Sequence, residues 1–251
     1  MLYNTFQHIP GIGKKTEEKI WKKQILTWDL FLSEHKKINI SESKIKKICK
    51  YVELSKIEIE KKNHLFFLPL LSRSMHWRAY PEFADNCCFL DIETTGLSRD
   101  YHDITTIAVY DGKESKVFIQ GKNLDEFRSE IKKYSLIVTY NGICFDIPFI
   151  EQKLPDIGFD HLHVDLRFAL KKIGYSGGLK SIEKQLGIVR EGDICDVDGY
   201  EAVRLWKRYK RGDKRALDKL MKYNIEDVVN LKTLMDITYK NLREKSFSCI
   251  Q

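Results

Sequence analysis

The stretch Phe89-Leu90-Asp91-Ile92-Glu93-Thr94-Thr95-Gly96-Leu97 sets two carboxylates two positions apart inside an otherwise apolar run. On an extended strand alternate residues share a face, so Asp91 and Glu93 point the same way. Cys87, Cys88, Phe89, Leu90 and Ile92 give that strand an apolar setting, in which a bare carboxylate costs several kcal/mol. A cation is therefore expected against this face. The small Thr94-Thr95-Gly96 segment leaves the strand end open to a ligand and a metal ion.

Two further acids stand where they can join this pair. Asp146 follows Asn141-Gly142-Ile143-Cys144-Phe145 and opens a helix, with Pro148 tolerated in its first turn. Asp227, in Tyr223-Asn224-Ile225-Glu226-Asp227, shares a helix face with Leu220, Tyr223, Leu231 and Leu234, whereas Glu226 looks elsewhere. Four carboxylates that converge suit two hard divalent cations, Mg²⁺ or Mn²⁺. Two such ions about 4 Å apart activate a water on one side of a phosphodiester and stabilise the departing oxygen on the other. Phosphodiester hydrolysis is the chemistry these residues point to. His161-x-His163 has no evident third ligand and reads as structural, Asp165 as a helix N-cap, and Lys180 as a surface residue.

The elements that must position these acids follow from periodicity and turn signals. Strands are predicted at the Asp91 stretch, at 104–110 and at 114–120, the last two joined through Asp111-Gly112. Asn123 is predicted to cap a helix over 124–134, followed by a strand at 136–140, the Asp146 helix through Lys153 and a strand at 163–166. Gly177-Gly178 precedes a helix over 179–186, another spans 200–210, and a final one starts after an Asp213 cap and runs to about Glu244, with room for a break. The expected fold is α/β: a mixed five-stranded sheet, three antiparallel strands then parallel ones, flanked by helices and preceded by a small helical region.

That preceding region carries the basic excess. Of the net charge of +7, residues 1–85 hold 16 Lys and Arg against 10 Asp and Glu, and the remainder is near neutral. Such an asymmetry fits a nucleic-acid-gripping arm on a domain that concentrates its own acids. Ile9-Pro10-Gly11-Ile12-Gly13-Lys14-Lys15 leads into a helical pattern over 16–23. Gly11 and Gly13 make a tight turn whose N–H groups can meet a phosphate, with Lys14 and Lys15 beside it. A bracing helix is expected from Ser41 or Ser43 to about Lys62, with Ile45, Ile48, Val52 and Ile59 on its buried face. Residues 65–83 have no clear period, and their aromatics are expected at the joint between arm and core. The division is 1–35 for the arm, 36–85 for the brace and 86–245 for the main domain. Six scattered cysteines indicate neither a zinc site nor a disulfide framework and are expected reduced and mostly buried. The longest apolar run, 65–71, is interrupted by Pro69, and the first basic residue is Lys14. No membrane span or leader is expected, and a cytoplasmic monomer is the default.

Taken together, Asp91-x-Glu93, Asn141-x-x-x-Phe145-Asp146 and Tyr223-x-x-x-Asp227 resemble the three motifs of the DEDD superfamily of 3′-to-5′ exonucleases, in its tyrosine-bearing branch, on a ribonuclease-H-like fold. Lys222 occupies the position at which the histidine branch has its His. With Trp77-Arg78-x-Tyr80-Pro81-x-Phe83 before it, the domain looks most like bacterial YprB-type proteins, and the Gly11–Lys15 turn resembles a helix-hairpin-helix motif. The resemblance implies that Asp91, Glu93, Asp146 and Asp227 hold two metals and that Tyr223 orients the attacking water. It also implies that Thr94, Thr95, Gly96 and Leu97 cradle the terminal nucleotide and that Asn141 and Phe145 are substrate contacts. The implied substrate is a single-stranded 3′ end, DNA favoured over RNA, yielding 5′-mononucleotides. A structure-selective endonuclease on the same metals and a noncatalytic nucleic-acid-binding module are the alternatives.

Overall fold

The computed structural model describes residues 1–190 and 199–250. Strands β1 (Cys87–Thr94), β2 (Ile104–Tyr110), β3 (Ser115–Ile119), β4 (Leu136–Thr139) and β5 (Leu162–Asp165) form one sheet in the order β3-β2-β1-β4-β5. β1, β2 and β3 pair antiparallel, while β4 and β5 join β1 in parallel. This is the predicted mixed five-stranded sheet. The β2–β3 hairpin closes where expected: the Asp111 carboxylate accepts from the N–H groups of Lys113 and Glu114, both at 2.8 Å.

Alternation along β1 divides its side chains between two cores. Cys88, Leu90 and Ile92 pack with Ile107, Val109, Phe127 and Phe149, beneath α6 (Phe127–Ile131) and α7 (Asp146–Lys153). Cys87 and Phe89 pack on the other face with Val138, Val164 and the inward residues Val228, Leu231 and Leu234 of α11 (Lys214–Phe247). Asp91 and Glu93, in phase with Phe89, therefore face α11. That helix follows α10 (Gly199–Lys210) and is a single run of 34 residues without a break, its Asp213 cap accepting from the Ala216 N–H.

Asn123 departs from its expected role. Its side chain turns back onto β3, accepting from the Ile119 N–H and donating to the Val117 carbonyl. The following segment is then a short 3₁₀ turn and the brief α6 rather than one helix over 124–134. β5 begins one residue earlier than predicted and yields Leu166 to α8 (Leu166–Lys171), because Asp165 caps that helix by accepting from the Arg167 N–H.

The N-terminal region contains α1 (Lys14–Trp21), α2 (Trp28–Glu34), α3 (Glu42–Glu60), α4 (His64–Phe67) and α5 (Tyr80–Phe83). α2 has no counterpart among the predicted elements; Trp28 and Phe31 bury it. Before the Gly11–Gly13 turn there is only a 3₁₀ turn, Leu2–Asn4. In α3, Ile48, Val52 and Ile59 are buried while Ile45 is half-buried, and Ser41 makes no side-chain cap. Apolar contact is continuous from Phe6, Trp21 and Trp28 to Leu242 of α11. The described cysteines are free; Cys87 and Cys88 are buried, Cys49 is half-buried and Cys144 is exposed in the turn before α7. Cys195 and the side chain of Cys249 lie outside the described residues. Among the described residues, no helix is long and apolar enough to cross a membrane.

One buried carboxylate ties the N-terminus together. Glu17 accepts from Thr5 Oγ1 at 2.6 Å, the Phe6 N–H at 2.8 Å, Gln7 Nε2 and Arg78 at 3.0 Å. Both partners of the Glu17–Arg78 pair are almost fully buried. Removing one member strands the other charge, so Glu17→Ala is expected to lower unfolding free energy by about 3–5 kcal/mol. The double variant Glu17→Met/Arg78→Leu recovers much of this; equal losses in urea unfolding of the single and double variants would contradict that reading.

Candidate metal centre

The acid cluster forms where β1 outruns its neighbour. Parallel pairing of β1 with β4 ends at Phe89 and Val138, so the Ile92 N–H has no strand partner on that side. Asp146, the first residue of α7, takes that N–H on its Oδ1 at 3.2 Å. On the α11 side, Asp91, Glu93 and Asp227 each offer a carboxylate oxygen, all within 4.8 Å of one another. The structure thus brings three of the four predicted acids to one point and sets Asp146 beside them. Three hard oxygen donors at this separation fit a divalent cation.

Burial dominates the electrostatics, and like charges add to it. Burial, then the charges of Asp227 and Asp146, hold Asp91 and Glu93 well above the usual carboxylate range. Burial likewise pushes Asp146 up to about 7. Asp227 rises to about 6, burial being partly offset by Arg190. Tyr223, one turn before Asp227, is buried and its hydroxyl is raised by burial and by the nearby acids. It is therefore a proton donor and not a base at neutral pH.

Three residues that the sequence did not single out hold the cluster in place. Asn224 is fully buried and donates to Asp91 Oδ2 at 2.7 Å while accepting from Thr106 Oγ1 at 2.8 Å. Its spacing of three from Asp227 on α11 was the available signal. Arg190 binds Glu183 through two bonds of 2.7 Å and also donates to Asp227. Glu183, on α9 (Leu179–Gln185), also accepts from Asn230 at 3.0 Å. Lys180, read as a surface residue, is half-buried with its ammonium 4.9 Å from the centre of the Tyr223 ring; the Arg190 guanidinium is 5.5 Å from the same ring.

The neighbouring turns are tightly built. Thr94 Oγ1 donates to the Gly96 carbonyl at 2.7 Å, and Thr95 exchanges bonds with Asp103 at 2.9 and 3.0 Å. A Cβ on Gly96 would lie 2.4 Å from His102 Nε2. Leu97, beyond this turn, is 84% exposed. Asn141 adopts φ +67° and receives Arg167 on its side-chain oxygen at 2.5 Å; Phe145 is half-buried against Phe149. Asp165 accepts from the N–H groups of Asn141 and Ile143 in addition to capping α8. His161 and His163 bond to the Ile131 carbonyl and Thr139 Oγ1, as structural residues. Gly11, Gly13, Lys14 and Lys15 are exposed, far from the acids in sequence and at the entry to α1.

A mixed sheet of this order, with acids at the open end of its central strand, defines a ribonuclease-H-like protein. Residues 88–239 match the RNase_H superfamily, and the chain belongs to it. Similar solved structures include the family B DNA polymerase of the hyperthermophilic archaeon Pyrobaculum calidifontis, at 17% identity and a TM-score of 0.47 over 63% of this chain and 24% of the polymerase. The chain thus spans about a quarter of that polymerase. Brucella melitensis NrnC with bound Mg²⁺ gives 16% identity and a TM-score of 0.45, covering 66% of this chain and 80% of NrnC. NrnC bound to pGG gives 16% and 0.46, covering 66% and 79%. A search of curated proteins finds no match.

Burial of these acids has a measurable signature. Asp146 is raised from 3.8 to about 7 in the folded chain, so its ionisation costs stability as pH rises through that interval and costs nothing below it. Asp146→Asn keeps an acceptor for Ile92 without the charge. In metal-free protein this variant is expected to melt roughly 2–6 °C above wild type at about pH 8, with the gap closing near pH 4. A gap independent of pH in thermal melts would refute this origin.

Proposed function

We propose that the protein is a metal-dependent 3′-to-5′ exonuclease of the tyrosine-bearing DEDD branch, of the YprB type. The convergence of Asp91, Glu93 and Asp227 at one point, with Asp146 and Tyr223 beside them, carries this reading. Two Mg²⁺ or Mn²⁺ ions would supply a nucleophile from water and stabilise the leaving oxygen; Asp91, Glu93, Asp146 and Asp227 would hold them.

Within the chain, Tyr223 stays protonated and orients water by hydrogen bonding. Gly96 leaves room for the His102 ring against the Thr94–Leu97 turn, whose backbone would cradle a nucleotide while exposed Leu97 offers an apolar contact to its base. Asn141 and Phe145 contact the same end from the α7 side, with Arg167 fixing Asn141. Cleavage at a single-stranded 3′ end releases 5′-mononucleotides, with DNA favoured by the hairpin motif of the basic N-terminal arm. In this proposal residues 1–35 are that arm, with Gly11, Gly13, Lys14 and Lys15 on a helix-hairpin-helix-like turn. Residues 36–85 brace it and residues 86–245 form the nuclease domain.

End-labelled DNA and RNA oligonucleotides with Mn²⁺ or Mg²⁺ test the reading. Asp91→Ala and Asp227→Asn are expected to lose at least about 100-fold in cleavage and to lose Mn²⁺ uptake in titration calorimetry. Tyr223→Phe is expected to lose about 10- to 100-fold in kcat while still taking up metal. Unchanged cleavage by the two acid variants overturns the metal assignment, and cutting of circular single-stranded DNA overturns the exonuclease in favour of an endonuclease.

A further inference from the structure

Three concavities run in series along the seam between the N-terminal region and the β5 edge of the sheet. The first, about 410 Å³, has Arg73, Ile143 and His163 in its wall. The second, about 390 Å³, shares those three residues and adds Trp77, Phe168 and Lys172. The third, about 530 Å³, shares Trp77 and Lys172 and adds Lys14, Arg78 and Lys245. The series therefore starts at the β4–α7 turn, where Ile143 lies three residues before Asp146, and ends at Lys14, directly after the Gly11–Gly13 turn.

Its chemistry suits one class of ligand. Arg73, Lys172, Lys14 and Lys245 are exposed along it. Arg78 is 4% exposed, lies 5.5 Å from the centres of both the Trp21 and Trp77 rings, and has a buried Nε with no hydrogen-bond partner. The acids beside these cations are mostly engaged: Glu17 by Arg78 and three other donors, Glu18 by Lys14 at 3.7 Å, and Asp165 by three backbone N–H groups. Glu151 in the first concavity is the exception. In the middle stretch Phe168 is 45% exposed beside Trp77, Val164 and Ala169, a wall that offers stacking and few groups able to read a base. Spaced cations with an exposed aromatic face match a single strand held by phosphates and stacking.

We propose that this seam binds single-stranded nucleic acid upstream of the 3′ end in the acid cluster, conducting it from the β4–α7 turn to the N-terminal hairpin. The direction of the strand rests on the exonuclease reading; binding along the seam does not. Its test therefore uses no catalysis: the full chain in EDTA, with 5′-labelled oligothymidylate of 4 and 20 nucleotides, followed by fluorescence anisotropy.

Lys172→Glu/Lys245→Glu, Lys14→Glu and Phe168→Ala are expected to weaken the 20-mer about 10-fold or more, with little change for the 4-mer. The Lys variants should also flatten the salt dependence of binding, since each lost phosphate contact removes about 0.7 from the slope. Lys113→Glu/Lys122→Glu, at the opposite β3 edge, makes the same change in net charge and is expected to retain wild-type affinity. Lys172 and Lys245 also donate to backbone carbonyls, so the exposed Lys14 and Phe168 variants carry the test if the double variant misfolds. Wild-type affinity of the Lys14 and Phe168 variants for the 20-mer, equal weakening by the β3-edge variant, or equal displacement by polyglutamate would each overturn the proposal. Loss of cleavage by acid variants that still bind the 20-mer leaves it standing, which separates its failure from that of the nuclease assignment.

Discussion

The burial of several carboxylates at one place, with the repulsion it brings, is the constraint on which the rest of this structure depends. Burial, and then the charges of Asp227 and Asp146, raise the cost of ionising Asp91 and Glu93, so these groups would separate if their backbones were free to move. They stay together because two rigid elements carry them. β1 is central in the sheet, and α11 lies across it with a continuous apolar stripe from Leu217 to Leu242. Packing on that stripe is dispersed over many residues, whereas the repulsion is confined to a few atoms, so the helix does not lift away. The strain is concentrated where an external cation can relieve it.

The internal counterweights are equally local. Asn224 donates to Asp91, the Ile92 N–H to Asp146, and Arg190 to Asp227. Each fixes a carboxylate by a donor placed on a different element. Burial works against the Arg190 charge, but Glu183 and Asp227 outweigh it and hold its protonation above the ordinary value. A guanidinium shared in this way also docks α9 on α11, through Glu183 and Asn230. The same contacts that restrain the acids therefore close one side of the site.

The parts of this arrangement legible in the sequence were those set by local periodicity. A spacing of two placed Asp91 and Glu93 on one strand face, and helical spacing turned Tyr223 and Asp227 inward. Asp165 was legible as a cap for the same reason. Arg190 and Lys180 were not, because their partners are fixed by how α9 docks, and nothing in the residues around them encodes that contact. Asn224 stands between: its phase on α11 was readable, but its partner Asp91 lies 133 residues away. Asn123 misled because a good capping residue found better acceptors and donors on β3. In the N-terminal region, α2 was missed because seven residues around Trp28 give too little periodicity to register as a helix.

Arg190 also bears on how a metal and a protein cation can share one acid. An ionised carboxylate has two oxygens and about four lone-pair directions, so one guanidinium bond leaves capacity for an ion. Because Arg190 is itself anchored by two bonds to Glu183, its bond to Asp227 restricts rotation of that carboxylate. Without that anchor the Asp227 carboxylate would sample orientations that miss Asp91 and Glu93. Neutralising part of the charge weakens attraction for a cation, yet fixing the geometry removes an ordering cost from binding it. The ion is thus met by oriented oxygens, and the long helix, the open strand and the buried arginine serve one placement.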